Sequence, residues 1–224
     1  MIDDYIKILK PIVCNIFKDD SSGHDIEHLE RVMRNAIKIC EKEGGNKLVV
    51  AISSYLHDIH RIMSDKYGRY VTPKESLTIV RTIISPLDLA NDQINDICYC
   101  IEHHEEYNWN QNNRVNLNAQ IVQDADNLDA IGAIGIARAF RYSGCHSIKM
   151  FDPNKQLRII NNYREDDVLE TNTIEHFYNK LFKLGDNMNT KTGKELAKKR
   201  IKFMEDFINE FMEEWYISDR QKTI

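Results

Sequence analysis

The chain has 224 residues, 42% of them hydrophobic and 29% charged, enough for one large domain or two small ones with a sizeable core. A net charge of −5 and a pI near 5.9 argue against nonspecific binding to nucleic-acid polymers or anionic membranes, while leaving room for a small phosphate held by local lysines. Five cysteines without framework spacing, an acidic Met1-Ile2-Asp3-Asp4 start and no apolar run of transmembrane length give the expectation of a reduced, cytoplasmic protein.

Four prolines and nine glycines are few, which favours long helices joined by short turns. Tyr5, Ile6, Ile8, Leu9, Ile12, Val13, Ile16 and Phe17 predict a first helix over 3–18, with Pro11 as a kink or break. A polar turn follows, in which Asp25 or Ser22 can cap the next helix. That helix, over 26–43, carries an inward stripe of Leu29, Val32, Met33, Ala36, Ile37 and Cys40. His28 continues the stripe one turn before Val32, and His24 lies one turn before His28. Taken alone, a core-facing histidine is explained more readily by hydrogen bonding than by metal ligation.

Gly44-Gly45-Asn46 ends this helix. Leu48, Ala51, Ile52, Tyr55, Leu56 and Ile59 then recur at three- and four-residue steps, predicting a helix that contains the doublet His57-Asp58. Neighbouring helix residues point about 100° apart, so both side chains reach one metal only if it lies between their directions. Ser64, Asp65, Gly68 and Pro73 break the period and predict a loop over 62–74. Helices are expected over 73–85 and 91–104. The second finishes in Ile101-Glu102-His103-His104-Glu105-Glu106, either a solvated end or a set of groups available for proton transfer.

Residues 107–117 are asparagine-rich and loop-like. Asp124, Asp126 and Asp129 then sit among apolar residues ahead of a small-residue helix, where acids need a cation or hydrogen-bond donors. Gly132 and Gly135 cost helix propensity and imply close packing. Residues 141–170 read as a mobile surface segment with a short helix around 165–170. A helix over 172–184 places Lys180 and Lys183 near the turn Gly185 to Thr190. The last, over 192–216, carries Leu196, Ile201, Met204, Phe207, Ile208, Phe211 and Trp215, a stripe suited to core packing or to an oligomer seam.

Three separated motifs resemble the HD superfamily of metal-dependent phosphohydrolases. They are His28 in His28-Leu29-Glu30-Arg31-Val32, the doublet His57-Asp58, and Asp126 in Ala125-Asp126-Asn127-Leu128. Gly23 to His28, Gln123 through Arg138, and Met188 to Lys194 are similar to a small bacterial branch that includes nucleotide pyrophosphohydrolases. The resemblance implies an all-α fold: a single-domain helical bundle over 1–224, with a motif core at about 24–138 completed by helices at 172–216. It implies His28, His57, Asp58 and Asp126 as ligands of a divalent metal ion, with Mn, Fe, Co, Ni or Mg all compatible with the donors. Spacing leaves Asp124 and Asp126 open as the direct ligand; the family pattern favours Asp126. Asp124 and Asp129 are candidates to orient ligands from behind.

The chain departs from many relatives at Arg61, where they carry a glutamate assigned to proton transfer. If a proton donor is used, His24, His103 and His104 are the candidates. Arg31, Lys180 and Lys183 are candidate cations for a polyphosphate. The expected reaction is hydrolysis of a nucleoside triphosphate to monophosphate and pyrophosphate. Alternatives are a nucleoside monophosphate phosphatase, a phosphodiesterase and a non-catalytic nucleotide- or metal-binding module. The expected ligand is a small nucleotide, and the expected state a monomer or homodimer.

Overall fold

Apolar stripes become helices along most of the chain. The structure, a computed structural model, describes residues 2–105, 115–160 and 171–216. It is all-α, with α1 (Ile2–Phe17), α2 (Ile26–Glu43), α3 (Lys47–Leu56), α4 (Ile59–Tyr67), α5 (Pro73–Ile84), α6 (Asn91–Glu102), α7 (Leu117–Asp129) and α8 (Gly132–Cys145). α9 (Thr173–His176) then runs through a π-helical turn (Phe177–Leu181) into α10 (Phe182–Asp186), and α11 (Lys191–Trp215) closes the order. Among the described residues, β pairing is confined to an isolated bridge between Lys149 and Asn172.

The centre is α2 packed on α3 and α7, with α6 behind α3. Leu29, Val32 and Ile39 of α2 bury against Ile52 and Leu56 of α3 and Ile121 and Val122 of α7. Each fully buried aliphatic chain contributes roughly 1.5–3 kcal/mol. Side-chain caps fix where these helices begin. Asp25, rather than Ser22, accepts from the His28 N–H at 3.1 Å, which sets the first turn of α2 and the depth of His28. Asn46, Asn116 and Thr190 start α3, α7 and α11 in the same way.

The structure differs from expectation at four places. α1 runs unbroken through Pro11, so the alternative of a helix break there is overturned. Pro11 and Lys7 are exposed, so the carbonyl that Pro11 cannot pair faces water. The helix expected through the doublet breaks at it: α3 ends at Leu56 and α4 begins at Ile59. The expected loop after residue 62 is therefore helical up to Tyr67. Burial of Ile59 and His60, with Ile62 and Met63 packed on the core, outweighs the polar Ser64 and Asp65. The Ser64 hydroxyl is absorbed by donating to the His60 carbonyl at 2.9 Å. Fourth, α8 extends to Cys145, into the segment expected to be mobile. The short helix expected at 165–170, and most of the asparagine-rich loop, lie outside the described residues.

Gly135 answers a packing need, because a Cβ there would stand 2.2 Å from the Ala130 carbonyl oxygen. Gly132 opens α8 at φ +77°, a conformation that disfavours any side chain. On α11, Ala197, Met204 and Ile208 are buried and Phe207, Phe211 and Trp215 pack on the core, so the stripe serves the core.

Candidate functional site

The break between α3 and α4 aims two consecutive side chains at one point. His57 terminates α3, and Asp58 takes φ −90°, ψ 11°, a bridge conformation that redirects its carboxylate. His28 arrives from α2 and Asp126 from α7. His28 Nε2 lies 3.3 Å from His57 Nε2, 3.2 Å from Asp58 Oδ2 and 3.5 Å from Asp126 Oδ1. His57 Nε2 lies 3.4 Å from Asp58 Oδ2 and 3.6 Å from Asp126 Oδ1. His28, His57 and Asp58 are buried, and the Asp126 side chain is 14% exposed. The structure thus brings Asp126, not Asp124, to the cluster.

The outer nitrogens of both histidines are engaged. His28 Nδ1 meets Asp129 Oδ2 at 2.7 Å, and His57 Nδ1 meets the Ser54 carbonyl at 2.8 Å. With the Nδ1 protons donated there, both Nε2 lone pairs face inward, the usual arrangement around a metal. Asp58 Oδ2 is buried without a hydrogen-bond partner. Lone pairs of two imidazoles and two carboxylates facing one another at these distances repel unless a cation lies among them. Donors about 2.1 Å from a common ion stand roughly 3.0–3.4 Å apart, so the residues present fit a divalent ion with mixed nitrogen and oxygen ligands.

Electrostatics agree. Burial pushes Asp126 and Asp58 up, but His57 outweighs it, aided by His28 at Asp126 and by Arg61 at Asp58. Both carboxyls are held well below their ordinary range. Burial pushes His57 down, and Asp58 and Asp126 outweigh it to hold the ring well above its ordinary value. The cluster holds positive charge wherever it can find it.

A second layer adjoins the cluster. Arg61 Nε donates to Asp58 Oδ1 at 2.9 Å and its Nη2 contacts Glu105 Oε1. Glu105 Oε2 lies 3.2 Å from His60 Nε2, and His104 Nε2 is 3.9 Å from both Asp58 Oδ1 and Glu105 Oε1. Asp58, His60, His104 and Glu105 form a further set close enough to hold an ion, and here the Arg61 guanidinium supplies the cation. Burial lowers His104 to about 4 against the opposing pull of Glu105. Glu105 itself is pushed up by burial but held well below its ordinary value by Arg61 and His60. Sequence reasoning attached no role to His60, and to Glu105 only a share in a stretch that reads either as a solvated end or as available for proton transfer. Only the fold shows that the end of α6 meets the start of α4.

The remaining candidates separate. His24 is half-buried, its ring 5.7 Å from that of His28 and its Nδ1 2.9 Å from the Ser22 hydroxyl. Burial, then Arg61, holds it well below its ordinary value. With Arg61, Arg138 and Lys180 it lines an open cleft whose other walls include Ala130, Ala139, Ile148 and Leu181. His103 is not brought to the cluster; it caps α6 and packs on Tyr99 at 4.3 Å. Lys183 turns its Nζ to the Ile160 carbonyl and does not line this cleft. Arg31 is engaged by Asp129 through bonds of 2.8 and 3.0 Å and lines a different cleft. Asp129 stands behind His28, as expected. Asp124 does not stand behind any ligand: its carboxylate accepts from the Asn189 and Thr190 backbones and side chains, tying α7 to the start of α11.

The family model for the HD domain matches residues 25–131, a span that contains all four clustered residues. The Bacillus subtilis protein YpgQ, described only as uncharacterized, is 30% identical over 200 residues, covering 88% of this chain and 87% of its own. The chain belongs to the HD superfamily. Solved structures agree. A Lactobacillus plantarum protein is 32% identical with a TM-score of 0.77, over 96% of this chain and 98% of that one. An HD-superfamily hydrolase from Bacillus thuringiensis is 33% identical with a TM-score of 0.70, over 95% and 97%. A crystal structure of YpgQ in complex with ADP is 26% identical after superposition with a TM-score of 0.69, over 94% and 96%. HD domains bind divalent metals, and this one is a metal-dependent phosphohydrolase in its general class. Among the described residues, no helix is long and apolar enough to cross a membrane.

Proposed function

We propose that the protein hydrolyses a nucleoside triphosphate to a monophosphate and pyrophosphate, with His28, His57, Asp58 and Asp126 holding a divalent cation. The observation that carries this reading is the cleft beside the cluster. Arg61, Arg138 and Lys180 line it together with the apolar Ala130, Ala139, Ile148 and Leu181. Cations and apolar side chains in one cleft suit a polyphosphate with a base attached. The ADP bound by YpgQ supports a nucleotide ligand for this chain also. The family match, with His176 of α9 and Lys180 and Leu181 of the π-helical turn lining the cleft, supports a single HD-type domain over 1–224.

The cation, when bound, makes water a better nucleophile near neutral pH and polarises a phosphoryl oxygen. The chain does the rest. Asp129 and the Ser54 carbonyl fix the ring orientation of His28 and His57. The bond formed joins the water oxygen to the α-phosphorus, and the bond broken is the α–β anhydride. Arg61, Arg138 and Lys180 balance the charge of the departing pyrophosphate. Arg61 stays protonated throughout and serves as a clamp, never as a general acid, and Glu105 positions it. His24, kept neutral by burial and Arg61, is placed to exchange hydrogen bonds with phosphate or water in the cleft.

The test is to deplete the protein of metal, supply a panel of divalent ions and nucleotides, and identify the products by mass. Pyrophosphate with a monophosphate is the expected result. Orthophosphate from a monophosphate would favour a phosphatase. Nucleotide binding without turnover for every metal would favour the non-catalytic module, for which Arg61 in place of the glutamate is the observation.

A further inference from the structure

A second cleft shares no lining residue with the first. Arg31 and Arg34 of α2 and Arg200 of α11 enter it, with Asn35 beside them and Ile131 and Ile134 as an aliphatic wall. One carboxylate, Asp129, lies in its lining, and that carboxylate is already shared. Arg31 holds it at 2.8 and 3.0 Å, Arg138 approaches from the first cleft at 3.4 Å, and His28 Nδ1 lies 2.7 Å away. Arg200 and Arg34 are left with little. The Arg200 guanidinium is partly buried, contacts the Leu128 carbonyl, and among the described residues has no carboxylate within 4 Å. The acid nearest Arg34 is Glu30 at 3.7 Å, and Glu30 also takes Lys10 at 2.9 Å. Guanidinium groups gathered at a concave surface with too few carboxylates are suited to bidentate capture of a tetrahedral oxyanion.

We propose that this cleft binds a small phosphate anion, and that binding there is felt at the metal centre through Arg31, Asp129 and His28. An anion among the three arginines competes with Asp129 for Arg31. Asp129 then loses a bidentate partner and shifts its hold on the Nδ1 proton that orients His28. Removing such an outer partner typically weakens metal binding by about 10–100-fold, so partial loosening predicts a change of several-fold. The binding half stands without the proposed reaction; the coupling half rests on His28 belonging to the metal centre.

The experiment is calorimetric titration of inorganic phosphate, pyrophosphate and a nucleoside monophosphate, with and without divalent metal. Wild type is compared with Arg34→Glu, Arg200→Gln and Lys180→Ala. Arg34 is exposed on α2, so its replacement leaves the fold intact, which circular dichroism checks. The expected result is a phosphate site that survives Lys180→Ala and weakens at least ten-fold in Arg34→Glu and Arg200→Gln. Equal affinity for free phosphate and monophosphate assigns the free ion; tighter monophosphate binding assigns a nucleotide that also uses the aliphatic wall. Phosphate should weaken metal binding several-fold in wild type and leave it unchanged in Arg34→Glu. If both arginine variants bind phosphate as wild type does, the site is overturned and the arginines are solvated surface charge. If they lose phosphate but wild-type metal affinity never responds to it, the coupling is overturned. The titrations without metal judge the site even if the metal centre proves wrong.

Discussion

Asp124 and Asp126 lie two residues apart on α7, and both are largely buried, yet their carboxylates meet different neighbours. Asp124 is surrounded by neutral donors: the Asn189 N–H at 2.7 Å, the Thr190 N–H at 2.8 Å, the Thr190 hydroxyl at 2.7 Å and the Asn189 amide at 3.0 Å. Burial still pushes it above its ordinary value, with those bonds pulling back. Asp126 faces ionisable imidazoles and is held well below its ordinary value despite burial. A carboxylate satisfied by dipoles joins two elements and has nothing left to bind. One that faces lone pairs and imidazoles needs a cation.

The largest expected effects test that division directly. His57→Ala, Asp58→Ala or Asp126→Ala should lower metal-dependent hydrolysis by on the order of 10³-fold or more, with helical circular dichroism retained. Asp124→Ala should do the reverse. It strands several buried donors, so urea denaturation should show a loss of roughly 2–4 kcal/mol, with turnover per folded molecule near wild type. A folded, stable and inactive Asp124→Ala would break the contrast.

The sequence shows the two aspartates but not which way each faces. Embedded acids require partners, and that much is readable. The partners of Asp124 are 65 and 66 residues away, at the start of α11. Helical periodicity located long stripes such as Leu29 to Cys40 and Leu196 to Trp215, because burial of one face governs both, whereas α7 shows in the sequence only as acids ahead of a small-residue helix. It failed at His57-Asp58. There the apolar period continues through Ile59, and the backbone breaks because the doublet caps one helix and opens another. The four clustered residues came from a family resemblance rather than from spacing. Glu105 and the different fates of Arg31, Lys180 and Lys183 depend on contacts between distant segments, which a charge pattern does not encode.

Asp129 extends the contrast to a carboxylate that has both kinds of partner. Burial pushes it up, but the bonds to His28 and Arg31 hold it at about 2. A folded-state value below the unfolded one means its contribution is present above about pH 4 and is lost as pH falls toward 2. The difference corresponds to roughly 2 kcal/mol, appropriate here because the side chain is only 3% exposed. Urea denaturation of chelator-treated protein should therefore show wild type losing more stability than Asp129→Asn across that window, and a constant gap above pH 5. The same variant should bind metal about 10–100-fold more weakly. A gap independent of pH from 2 to 6 would show that Asp129 packs without using its charge.

The smallest effect separates two lysines three positions apart. Lys180 sits in the π-helical turn, whose wider backbone ladder shifts the faces that follow, and it lines the cleft beside the cluster. Lys183 follows in α10, and its ammonium group is spent on the Ile160 carbonyl, with burial lowering its pKa. If the cleft holds a polyphosphate, Lys180 contributes one charge-assisted contact to it. Losing it should raise KM for a nucleoside triphosphate about ten-fold, equivalent to about 1.4 kcal/mol, with kcat changed little. Lys183→Ala should leave KM unchanged and cost at most about 1 kcal/mol in stability, since it removes a hydrogen bond to a backbone oxygen. Steady-state kinetics of the two variants, read beside their urea midpoints, decide the matter. A matching rise in KM for both would mean that substrate reaches beyond the cleft toward Ile160. No rise for either would move the phosphate contacts to Arg61 and Arg138 alone.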